Sequence, residues 1–186
     1  METRTQPVQR KKKEPLTQFL PQIAISFQPL THILHWNRCS LMADFCSKLQ
    51  ILDLKEEKKV QNIVSLIINE LLENAVKFAF DKTRHITIST RIDDEVFEIE
   101  TSNYTERYNI DKLEKILENI QDKNTQDLIV RQIIKNEKSK ESQLGLLTLL
   151  CNYKAEIVCD SKKTELKNIY ETRVRVRLNL KEVEEI

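Results

Sequence analysis

Glu70, Asn74 and Lys77 fall in the segment NELLENAVKFAF, residues 69–80. At about 100° per residue, Asn74 lies about 40° from Glu70 and Lys77 about 20° on its other side, so all three project from one narrow arc of a helix. The arc joins a carboxylate that can accept a proton, an amide with a neutral oxygen donor, and a point cation. Val64, Ile67, Ile68, Leu71, Leu72, Ala75, Val76 and Ala79 occupy most of the remaining circumference. A carboxylate and an amide at i and i+4 on the edge of so wide an apolar face are placed to be partly buried. Glu and Lys are also good helix formers, and a solvated seam on an amphipathic helix has the same spacing. Spacing alone leaves both readings open.

The elements that must carry this arc follow from composition and periodicity. A chain of 186 residues, 40% hydrophobic and 32% charged, suits one globular domain, residues 19–186, preceded by a polar tail, residues 1–18. A formal charge of +1 argues against a nucleic-acid binder, which needs a concentrated excess of Lys and Arg. The basic run Arg10 to Lys13 sits in the polar tail between Pro7 and Pro15. No stretch is long and apolar enough for a membrane span or a signal peptide, so the expected location is cytoplasmic. Cys39, Cys46, Cys151 and Cys159 form no C-x-x-C pair and read as reduced, mostly core residues. His32, His35 and His85 have no metal-ligand spacing. Gly145 is the chain's one glycine, where average usage gives roughly a dozen.

Gln22 to Phe27 and Ile33 to Trp36 read as short strands, and Leu41 to Ile51 and Lys55 to Phe80 have the helical period. Strands are expected at His85 to Ile92 and Glu95 to Thr101, separated by Asp93 and Asp94. Asn109 to Ile120 and Thr125 to Lys135 return to helical spacing, with Asn109 and Thr125 as caps. The charged stretch Asn136 to Ser142 leads into a helix from Gln143 to Asn152. The strands Ala155 to Asp160 and Tyr170 to Leu180 follow. The sum is an α+β fold, a two-layer α/β sandwich whose mixed, mostly antiparallel sheet is covered by helices on one face.

This order of elements, with Glu70, Asn74, Ala75 and Lys77 matching Glu-x-x-x-Asn-Ala-x-Lys, resembles the GHKL (Bergerat) ATPase fold of histidine-kinase catalytic domains and anti-sigma-factor serine kinases. Ser142-Gln143-Leu144-Gly145-Leu146-Leu147 is similar to that family's second glycine box. The layout over roughly residues 20 to 180 most resembles small bacterial regulators related to SiaB-like protein kinases. The resemblance implies ATP and magnesium as cofactors. Asn74 would ligate the magnesium, Glu70 would serve as catalytic base, and Lys77 would offset phosphate charge. Asn103 stands where the family's Asp-x-Gly-x-Gly box begins and would meet the adenine through its amide oxygen, while Leu144, Gly145 and Leu146 would line the nucleotide. Thr105 and Arg107 stand where the glycines of that box would be.

Two functions remain in view. One is a serine kinase in partner-switching signalling, acting on a small STAS-type or SiaC-like protein. The other is a non-catalytic binding module that keeps the scaffold and sequesters a partner. The segment Asn109 to Lys135, in place of the family's flexible lid, is either a helical cover for the sheet or a docking surface. The apolar region Leu20 to Trp36 is expected to pair with the sheet and to help form a homodimer. Glu70, Asn74 and Lys77 are expected to line a pocket bounded by an Asn103 loop and the helix start at Gly145.

Overall fold

The computed structural model describes residues 21–29, 35–52, 57–122, 153 and 155–184. In chain order they form β1 (Ile23–Phe27), α1 (His35–Ile51), α2 (Glu57–Lys77), β2 (Ile86–Asp93), β3 (Val96–Glu106), α3 (Arg107–Asp122), β4 (Glu156–Lys163), β5 (Ile169–Asn179) and α4 (Leu180–Glu184). The strands make one five-stranded sheet in the order β1-β2-β3-β5-β4. Every pairing among them is antiparallel. The α+β, two-layer reading holds.

Alternation along the strands builds the core. Ile86 and Ile88 of β2, Phe97 and Ile99 of β3, and Val176 and Leu178 of β5 turn one way, where they are buried against Val64, Ile67, Ile68, Leu71 and Leu72 of α2. α1 adds Cys39, Ala43, Cys46 and Ile51 to the same cluster, and Leu113 of α3 packs against it. Cys39, Cys46 and Cys159 are buried, as core residues are, and Cys151 lies outside the described residues. Among the described residues no helix is long and apolar enough to cross a membrane.

The opposite sheet face is held by charge pairs set by the strand register. Arg91 and Arg177 flank Glu98 from β2 and β5, and both pair with it. Arg175 meets Glu100 through Nε at 3.1 Å and Nη2 at 2.7 Å. The long side chains cover one another so well that Glu98 is 6% and Arg175 8% exposed. Cross-strand ion pairs of this kind are the sheet's counterpart of i,i+4 pairs on a helix.

Glycine scarcity is resolved by other residues. Asp94 (φ 52°) in the β2–β3 turn and Asn168 (φ 61°) in the β4–β5 turn take left-handed backbone, the conformation that Asp and Asn tolerate best after glycine. The end of α2 uses side-chain donors instead of a glycine cap. Asn103 Nδ2 donates to the Ala75 carbonyl at 2.9 Å, Lys82 Nζ to that of Val76, and Thr105 Oγ1 to that of Phe78 at 2.7 Å. The carbonyls of a last helical turn otherwise lack partners.

Several boundaries differ from the sequence reading. His35 and Trp36 open α1 and are not strand, and Ile33 and Leu34 lie outside the described residues. A short apolar run cannot be told from a helix start by pattern alone. The β2–β3 turn is Asp94 and Glu95, because Asp93 still pairs with Val96. Asn103 to Glu106 are not a loop, since β3 runs on to Glu106 opposite β5, and Arg107 begins α3. Asn109 lies within α3 and is no cap; its Nδ2 donates to Thr105 Oγ1 at 3.1 Å. The helices expected at Thr125 to Lys135 and Gln143 to Asn152 lie outside the described residues, as does the polar tail 1–18.

Removing the clasp on α2 has a measurable cost. Asn103→Ala leaves the Ala75 carbonyl without its donor and should lower unfolding free energy by about 1–3 kcal/mol, and Thr105→Val by about 1 kcal/mol. Urea unfolding followed by circular dichroism measures both, with an unchanged slope indicating an unchanged fold.

Candidate functional site

α2 is an amphipathic helix beside α1 on the same face of the sheet, and its rotation decides what each polar residue faces. Ser65 Oγ donates to Asp44 Oδ1 of α1 at 2.6 Å, which marks the flank turned towards α1. At about 100° per residue, Glu70 then lies about 140° and Asn74 about 180° around the helix from that flank. Both point away from α1, on the edge of the apolar face, and both are half-buried. Lys77 is exposed, its Nζ 5.3 Å from the centre of the Phe78 ring. The solvated-seam reading therefore describes Lys77 but not Glu70 or Asn74.

Burial, with the Glu73 carboxylate as the second cause, raises the Glu70 pKa above the ordinary carboxylate value. A carboxyl held this way retains a proton more readily, the direction that suits a general base or acid near neutral pH. Among the described residues the Asn74 side-chain amide makes no hydrogen bond, so its oxygen is open to a ligand.

Asn103 stands against the same helix end. Its amide nitrogen is committed to Ala75, the residue after Asn74, and the side chain is buried. It sits in a strand rather than in a glycine loop, and its amide oxygen accepts no hydrogen bond among the described residues. Leu144, Gly145 and Leu146 fall outside the described residues, and with them the wall they were expected to supply.

Two further groups lie on the α1 side of α2 and were not singled out from the sequence. Asn69 Nδ2 donates to Glu73 Oε1 at 2.8 Å, while the Asn69 amide oxygen is buried without a partner. Burial, and after it the Glu73 carboxylate, pushes the Cys39 thiol up to about 11, so it stays protonated. The i,i+4 spacing of Asn69 and Glu73 was a visible signal for the first pair; nothing in the sequence linked Glu73 to Cys39.

A cavity of about 510 Å³ opens on this flank too. It is lined by Phe27 and Gln28, by Arg38, Cys39, Leu41 and Met42 of α1, and by His85. Glu70, Asn74 and Lys77 do not line it. Among the described residues no group of three or more His, Cys, Asp or Glu side chains is gathered for a metal.

No family model matches the chain, and no curated protein matches it in sequence. In structure it is similar to a chain from the crystal structure of the SiaB–SiaC complex of Pseudomonas aeruginosa, with a TM-score of 0.63 and 11% identity over 85% of this chain and 91% of that one. The likeness is one of fold.

The raised Glu70 pKa carries a pH signature. The folded chain binds that proton more tightly than the unfolded chain. The resulting stabilisation is complete below the ordinary carboxylate range and is lost as pH rises through the raised value. Glu70→Gln should therefore melt about 2 °C above wild type near pH 8, with the gap closing below about pH 4. Differential scanning calorimetry across that range checks the sign.

Proposed function

We propose that this chain is a partner-switching regulator with a GHKL-type ATP site, acting as an ATP- and magnesium-dependent serine kinase of a small regulatory protein. The observation that carries this reading is the placement of Glu70 and Asn74, half-buried together on one flank of α2, with the Glu70 pKa raised by burial. The fold shared with a chain of the SiaB–SiaC complex supports it. That neighbour was crystallised as a complex, and by analogy the partner here is of STAS or SiaC-like type.

Magnesium is usually held by one or two protein oxygens with the rest of its shell from phosphates and water. The open Asn74 amide fits that requirement, and Lys77 is near enough along the helix to offset phosphate charge. Magnesium bound there would neutralise charge on the transferring phosphoryl group. Glu70 takes the proton of the partner's serine hydroxyl as that oxygen attacks the terminal phosphorus and ADP departs. Asn103 offers its free amide oxygen to the adenine amino group from the base of the same helix end.

A second reading, a non-catalytic module that binds its partner without phosphotransfer, is favoured by one specific observation. The residues at the adenine box are strand, with Asn103 tied to Ala75, and lack the backbone freedom of paired glycines. A homodimer through the edge of β1, the outermost strand beside β2 among the described residues, belongs to the proposal as well. Light scattering at high micromolar concentration should then return about twice 22.0 kDa.

Calorimetry separates the readings. Wild type should bind ATP with magnesium, Asn74→Ala should weaken that binding at least about tenfold, and Glu70→Ala should keep binding while slowing phosphotransfer about 10²–10⁴-fold. No heat from folded wild type removes the kinase and leaves the module. A signal unchanged in Asn74→Ala moves the nucleotide elsewhere.

A further inference from the structure

α1 is apolar on two faces, and the core needs only one. Cys39, Ala43, Cys46 and Ile51 face inward and are buried. On the outer side Leu41, Phe45, Leu49 and, just past the helix end, Leu52 are 69%, 55%, 53% and 64% exposed. At about 100° per residue these four fall within an arc of about 80°. Single exposed apolar residues are ordinary, but a continuous stripe of large ones marks an interaction surface.

The charges on the stripe indicate what covers it. Arg38 lies within the same arc, and Lys48 lies about 20° outside it. Neither makes an ion pair among the described residues. Asp44 is the one acid of α1; it accepts from Ser65 Oγ of α2 and lies about 60° outside the arc, on the side turned towards α2. The stripe is thus apolar and cationic, with no carboxylate within its arc.

A second copy of the chain fits this surface poorly. It would bring another Arg38 and another Lys48 and no acid within the arc. A helix of 17 residues is about 25 Å long, and one seam of that length buries well under the ~800 Å² per partner of a stable dimer. A helix from another protein needs less area, because a few side chains at i, i+4 and i+7 carry such contacts. The stripe also runs into the cavity described above, which shares Arg38 and Leu41 with it and adds Phe27, Met42 and His85. That gives one large apolar side chain of the partner a slot beside two cation-capable groups, the usual form of an interface anchor.

We infer that the outer face of α1 is the docking surface for an amphipathic helix of a partner protein, with apolar side chains at three- and four-residue spacing and carboxylates on its flanks. The surface lies on the side of α2 away from Glu70 and Asn74, so docking there is independent of phosphotransfer.

The test uses the full chain and two fluorescein-labelled synthetic helices about 20 residues long. One has Leu at alternating three- and four-residue spacing with Glu at flanking positions, and its twin has Lys for every Glu. Fluorescence polarisation should show saturable one-to-one binding of the Glu helix and none of the Lys twin. Phe45→Glu should weaken binding at least about tenfold, and Arg38→Glu about three- to tenfold. Phe45 is solvent-exposed, so the variant's circular dichroism melt should match wild type. Absence of saturable binding to folded wild type, equal binding of the twin, or indifference to Phe45→Glu would overturn the inference. So would a wild-type dimer that Phe45→Glu dissociates, because a second copy would then own the stripe. A chain that binds the Glu helix but gives no heat with ATP keeps the docking surface and loses the kinase; the reverse result loses the docking surface alone.

Discussion

The architecture depends on the clasp between β3 and the end of α2. β3 is the central strand, bonded to β2 on one side and β5 on the other, and its inward-facing row changes character along its length. Phe97 and Ile99 are apolar and fill the core, whereas Thr101, Asn103 and Thr105 are polar and buried. Buried polar side chains mostly find partners, and for Asn103 and Thr105 those partners are carbonyls of the helix terminus. One set of bonds thus satisfies both the strand and the helix. It also fixes the height and rotation of α2 against the sheet, and with them the direction in which Glu70 and Asn74 point.

That rotation divides the polar residues of α2 between two sides. Asn69 and Glu73 lie towards α1, where burial and then the Glu73 carboxylate raise the pKa values of the Cys39 thiol and of Glu70. Glu70 and Asn74 lie on the other flank. Two carboxylates one turn apart on a half-buried helix repel each other, and the protein tolerates this where a proton can be held. The sheet face away from the helices pairs its charges instead, with Glu98 and Glu100 each meeting arginine across the strands.

A shared fold at 11% identity means that one arrangement of elements is reached with mostly different residues. Cores accept such exchange so long as volume and alternation are kept. Sites do not, because a proton acceptor or a cation ligand must be of one chemical kind at one place. The likeness is therefore one of fold, and the Glu70–Asn74 flank rests on residues of this chain alone.

Periodicity by itself determined the two-layer α+β class, the long helix α2, the strands at β1 and β2, and the arc shared by Glu70 and Asn74. Each of these depends on side-chain spacing along a short run of backbone. The tertiary structure decided the rest. β3 extends through Asn103 to Glu106, a polar run with little strand signal, because β5 offers it partners from Thr172 to Ile169. α1 begins at His35 because Cys39, Ala43 and Cys46 must face α2 and the sheet, and its second apolar face was hidden in the pattern because Leu41, Phe45 and Leu49 blurred the period. Asn103 reads from sequence as a residue of a ligand loop, and the fold makes it also the cap of a helix 28 residues earlier in the chain. A local pattern carries which side chains share a face; only long-range hydrogen bonds and packing settle what that face meets.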